Sequence, residues 1–128
     1  MGRHDMGTPL ARAIELRSAK DGVHHWWMQR VSAIALVPLT MWFIPAIIAQ
    51  TGADYTAFVA WMRNPITVVL MDLLLIALFY HAALGLQVVV EDYVHSDVKF
   101  AAAITVRLAC FTLGAAGILA TLRIALDS

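Results

Sequence analysis

The sequence predicts an all-α membrane protein with three transmembrane helices, its N-terminus in the cytoplasm and its C-terminus in the periplasm. Three observations lead there. The chain of 128 residues is 61% hydrophobic and only 14% charged, where a soluble domain carries about a quarter charged residues. Its apolar residues gather into stretches at about residues 26–49, 66–90 and 100–126, each long enough to cross ~30 Å of hydrocarbon with some tilt. Its basic residues gather ahead of them. Arg3, Arg12, Arg17, Lys20 and Arg30 precede or open the first stretch, and an excess of Lys and Arg marks the cytoplasmic side.

The elements follow in order. Residues 1–25 read as a polar cytoplasmic tail, and residues 26–126 as the three-helix membrane domain. The tail has no short apolar run ahead of a cleavage site, so it is not a secretory signal. Asp5, Glu15 and Asp21 interrupt it and argue against a mitochondrial presequence. The expected location is therefore the bacterial inner membrane, with multiple spans inserted by the first helix. Within the tail, residues 8–20 can form a short amphipathic helix, read either as a solvated orienting segment or as a docking surface for a soluble partner. Trp26 and Trp27 mark one membrane interface and Trp61 the other. Pro38 and Pro45 fall inside helix one and should kink it or end it early. Asn64 can cap helix two, with Pro65 at the first helical position, where its missing N–H is harmless. Ser96 or Asp97 can cap helix three. The loop before that helix carries Lys99, in keeping with a cytoplasmic side.

Several function classes are excluded. The single cysteine, Cys110, supports no internal disulfide, iron–sulfur cluster or zinc site on this chain. No glycine-rich dinucleotide motif is present. The net charge is zero and no basic stripe exists, so nucleic acid is not an expected partner. The lipid bilayer is.

The chemistry concentrates on helix two. His81 lies deep in an apolar run, where an ionisable side chain is unfavourable and signals function. Asp92 follows eleven residues later, which is about 20° around the helix from His81 and roughly 16 Å along it. Ala77 and Gly85 flank His81 on the same face, and such small residues admit either a neighbouring helix or a flat macrocycle. The same face also admits a plainer reading, in which His81 bonds to a neighbouring helix. Tyr93, beside Asp92, carries a phenol that can donate to a quinone carbonyl, and the carboxylate can orient it or relay a proton. At the start of helix one, the run Gly22-Val23-His24-His25-Trp26-Trp27-Met28-Gln29-Arg30 holds a second polar cluster. Arg30 suits an anionic partner such as a haem propionate, or it anchors the helix by snorkelling. Asp72 points to the opposite face from His81 and is expected to pair with Arg63 or a partner chain. Arg107 is expected to snorkel or pair with a partner. Cys110, Gly114 and Gly117 form a small-residue stripe suited to helix packing.

These residues resemble the family of smaller, cytochrome b-type membrane anchors of succinate dehydrogenase (respiratory complex II). The likeness rests on three helices, a histidine in the second, and Asp-Tyr eleven and twelve residues after it, here His81, Asp92 and Tyr93. Gly22-Val23-His24, followed by Arg30 and Ser32, is similar to the family's opening of helix one. The likeness covers about residues 20–126; the signatures of the companion anchor, the cytochrome b subunit, are not matched. It implies that His81 is one of two axial ligands of a haem b shared with that cytochrome b subunit. It implies that Tyr93 bonds a ubiquinone carbonyl with Asp92 in support, and that Arg30 and His24 (or His25) lie near the haem propionates. The implied function is that of an anchor passing electrons from an iron–sulfur subunit, itself served by a flavoprotein subunit, to ubiquinone. The implied enzyme is succinate dehydrogenase, with no succinate chemistry on this chain. A fumarate reductase anchor and a cofactor-free structural membrane subunit are the alternatives.

Overall fold

The computed structural model describes residues 7–127; Arg3 and Asp5 lie outside the described residues. Its helices are α1 (Pro9–Ala49), α2 (Tyr55–Arg63), α3 (Pro65–Tyr93) and α4 (Val98–Leu126). Three of them, α1, α3 and α4, are long and apolar enough to cross a membrane, as the hydropathy pattern predicts. At 29 residues each, α3 and α4 are about 44 Å long, close to a whole bilayer with its headgroups.

Helix α1 ends at Ala49 as expected but departs from expectation at its start. It begins at Pro9 rather than near Trp26, so the region read as a polar tail is helical and continuous with the span. Its 41 residues reach about 61 Å, roughly twice the hydrocarbon thickness. The extension follows from its composition. Pro9 takes the first helical position, and the Thr8 hydroxyl accepts from the Ala11 N–H at 3.2 Å. Leu, Ala, Arg, Glu and Lys, all strong helix formers, then dominate up to Gly22. Nor do Pro38 and Pro45 stop the helix, which runs through both to Ala49. A span tolerates proline because the next turns keep their hydrogen bonds and neighbouring groups compensate the lost one.

The short helix α2 is an addition to the three expected elements. Asp54 caps it, accepting from the Ala57 N–H at 2.8 Å. Gly52, with φ of +88°, turns the chain between α1 and α2, a conformation that disfavours any side chain. Trp61 of α2 stacks on Trp42 of α1 with ring centroids 6.5 Å apart, so Trp61 does lie in an aromatic cluster at the end opposite Trp26. Asn64 caps α3 as expected, its Oδ1 accepting from the Ile66 N–H at 2.9 Å. For α4 the Ser96 hydroxyl accepts from the Val98 N–H at 3.3 Å, while Asp97 makes no side-chain cap.

Helix α3 is the centre of the packing. It contacts α1 on one side and α4 on the other, and α1 and α4 do not pack against each other among the described residues. The interior is correspondingly thin: Met62, Leu74, Val90 and Cys110, with the hydroxyl residues Ser32, Thr67 and Thr121. The other faces of the spans are apolar and open, as lipid or partner helices require. The stripe on α4 packs as expected. Gly114 meets Phe79, and Gly117 meets Leu75, where an added Cβ would lie 3.5 and 3.2 Å from side-chain carbon. Gly114→Leu should therefore force α3 and α4 apart and destabilise the fold by about 1–3 kcal/mol. Thermal unfolding in detergent measures this, and Gly114→Ala, whose methyl group meets only ordinary contact distance, should stay near wild type.

Candidate functional site

His81 faces α1. Its Nδ1 lies 3.0 Å from the Ser32 hydroxyl oxygen, and Ser32 is 5% exposed. That hydroxyl has its own acceptor, the Gln29 backbone carbonyl at 2.9 Å. A hydroxyl has one proton. With that proton given to Gln29, the Ser32 oxygen accepts from the His81 Nδ1–H. The neutral imidazole then carries its lone pair on Nε2. Nε2 has no partner among the described residues, and it is not sealed inside the chain. A neutral imidazole with one nitrogen fixed by a hydrogen bond and the other offering a lone pair is the arrangement that metal-ligating histidines use.

Around His81 the small residues do what their size allows. The Gly85 clearing is approached by α1: a Cβ there would lie 3.9 Å from the Gln29 side-chain nitrogen. Ala77 and Ser32 share an apolar cleft of about 420 Å³ between α1 and α3. His25, Gln29 and Ser32 follow at helical spacing along the α1 face turned to α3. His25 Nε2 and Gln29 Oε1 are buried without a hydrogen-bond partner. Sequence reasoning misses Gln29, although a polar residue every four or three positions on one face of an apolar helix is a visible signal.

The other predicted residues are placed separately. Arg30 is exposed, with its guanidinium 4.9 Å from the Trp26 ring centre, a cation–π contact that holds it at the membrane edge. His24 lies six residues earlier, about 120° away around the helix, so the two do not form one cluster. His24 instead lines a polar groove of about 660 Å³ with His25, Asp21, Gln87, Glu91 and Arg107. This groove exists because α1 and α4 stay apart over α3. Asp92 and Tyr93 end α3 on its exposed tip, Tyr93 at 80% exposure. Neither side chain has a partner among the described residues, and neither touches His81. His95 is exposed, as expected.

Two expectations are corrected. Asp72 does not pair with Arg63; its carboxyl meets the Thr121 hydroxyl of α4, which also reaches the Ile118 carbonyl at 2.7 Å, while Arg63 donates to the Ile124 carbonyl at 3.0 Å. A buried hydroxyl is the less costly partner for a carboxylate at the α3–α4 contact, since it brings no second charge out of water. Arg107 is not left to snorkel. Its Nη2 donates to Gln87 Oε1 at 2.7 Å, and the Gln87 amide nitrogen donates on to Glu91 at 3.2 Å. The amide thus relays between opposite charges on neighbouring helices. Thr121→Val keeps the shape but leaves Asp72 unpaired, and should destabilise by about 1–3 kcal/mol. Thermal unfolding in detergent checks it; an unchanged transition would mean that the bond contributes nothing.

Fold and site together define a helical membrane protein with three long apolar spans and polar residues at the contacts between them. The succinate dehydrogenase/fumarate reductase transmembrane subunit family matches residues 4–115. The chain is 35% identical over 91 residues to the succinate dehydrogenase hydrophobic membrane anchor subunit of Rickettsia bellii, covering 71% of this chain and 73% of that one. It is 30% identical over 97 residues to the corresponding subunit of Paracoccus denitrificans, covering 76% and 75%. It is 30% identical over 81 residues to the succinate dehydrogenase membrane anchor subunit of Reclinomonas americana, covering 61% and 68%. The chain belongs to the succinate dehydrogenase/fumarate reductase transmembrane subunit family. It is a membrane anchor subunit, multi-pass in a bacterial membrane and associated there with the other subunits of the enzyme.

Proposed function

We propose that this chain is the smaller of two membrane anchors and binds haem b and quinone in a succinate:quinone oxidoreductase that delivers electrons to ubiquinone. The observation that carries this reading is His81 itself, whose Nδ1 meets the Ser32 hydroxyl and whose Nε2 is left without a partner among the described residues. The residues that would hold a haem are His81, through the Nε2 that no described residue engages, with the small Ala77 one turn away. Bound there, a haem would supply one-electron storage within the membrane. His81 would hold the iron together with a ligand from a partner, the cytochrome b subunit. Arg30, ahead of Ser32 on α1, would offer its guanidinium to a carboxylate of that group, and His24, about 120° around the helix, would reach it only from the groove side.

At the tip of α3, Tyr93 donates its phenol proton to a quinone carbonyl, and Asp92 holds or passes a proton beside it. The N-terminus lies in the cytoplasm, where the flavoprotein and iron–sulfur subunits sit, and the C-terminus in the periplasm. The extended first turns of α1 project beyond the bilayer on the cytoplasmic side. The decisive variant removes the His81 imidazole and follows the haem.

A further inference from the structure

We infer that Ser32 is the positioning residue for His81, fixing its tautomer and ring orientation and thereby setting the potential of the haem that the chain is proposed to hold. This inference rests on the haem reading above. Ser32 is one of the few buried residues among those described, and it sits at the α1–α3 contact beside His81 and one turn from Gln29. A buried hydroxyl there is unfavourable unless satisfied. It has two partners, the Gln29 carbonyl at 2.9 Å, to which it donates, and His81 Nδ1 at 3.0 Å. The first bond decides the direction of the second. With its proton on the Gln29 carbonyl, Ser32 accepts from His81, and Nδ1 is the nitrogen that carries the proton. The ring plane is fixed by the same contact.

Two consequences follow. An imidazole whose N–H is held by an acceptor is the stronger donor at its other nitrogen, which favours ferric over ferrous iron. Loss of the acceptor also lets the ring turn and exchange tautomers, so that part of the population presents N–H where the lone pair is needed.

The test is made on the intact complex carrying Ser32→Ala. Retention of haem against an external haem scavenger should fall by about 10–100-fold. Redox titration should show the remaining haem more reduced at any fixed potential. The electron paramagnetic resonance signal of the ferric haem should shift, because it reports the relative planes of the two axial rings. Ser32→Thr, which keeps the hydroxyl, should restore all three. If Ser32→Ala disturbs assembly, Ser32→Cys, with a weaker acceptor of similar size, should give intermediate values. Haem retention, potential and resonance signal equal to wild type in Ser32→Ala or Ser32→Cys would overturn the inference. His81→Ala separates the two levels. Loss of haem in His81→Ala with a silent Ser32→Ala removes only the role of Ser32, whereas full haem in His81→Ala removes the haem reading beneath it.

Discussion

Replacing His81 with alanine should abolish or strongly alter the b-type reduced-minus-oxidised spectrum of the complex while leaving its subunits assembled. In the proposed role the imidazole is a metal donor within the α1–α3 contact, and its Nε2 has no competing partner among the described residues. Alanine also vacates the acceptor side of Ser32. That hydroxyl still has the Gln29 carbonyl, so one hydrogen bond is lost rather than a network, and the structural penalty should be near ~1 kcal/mol. A large loss of haem with a small loss of stability is the signature expected of a ligand. A plain helix-packing histidine would give the reverse: stability lost and haem content unchanged. An assembled variant with an unaltered haem spectrum would therefore remove His81 as ligand.

Tyr93→Phe should leave assembly and haem content intact and depress quinone reductase activity by about ten- to a hundredfold, the worth of one hydrogen bond of about 1.5–3 kcal/mol to a carbonyl that gains charge. The position favours a clean result. Tyr93 is 80% exposed at the end of α3, and its hydroxyl bonds nothing among the described residues, so phenylalanine disturbs no internal contact. The ring keeps its place at the membrane edge, where aromatic residues are favoured whatever their chemistry. A merely interfacial tyrosine would accordingly tolerate the change, and full activity in Tyr93→Phe would sink the direct quinone role.

The three spans, the Asn64-Pro65 start of α3 and the face shared by Ala77, His81, Gly85 and Asp92 are all legible in the sequence, because hydropathy, capping chemistry and helical spacing are local properties. What escapes depends on distant or averaged terms. Polarity changes between tail and span in α1, yet helix propensity does not, and the helix ignores the boundary. The expectation that Pro38 and Pro45 kink a helix or end it early is met in its second part best in water, where solvent readily replaces a broken hydrogen bond; here the helix runs on to Ala49. The α2 segment is too short for periodicity to declare it. The partners of Asp72 and Arg107 depend on which α3 residue faces which α4 residue; Thr121 and Gln87, ordinary polar residues in the sequence, become those partners only through packing. Ser32 is visible in the sequence as part of a resemblance; its bond to His81 is not, since 49 residues separate the two.

The most direct test of the proposed role is the reduced-minus-oxidised spectrum of the complex purified through a tag on this chain. The expected result is co-purification of a flavoprotein, an iron–sulfur protein and a second membrane subunit, together with a b-type haem spectrum. The same set of subunits purified without haem would contradict it and leave the chain a structural anchor.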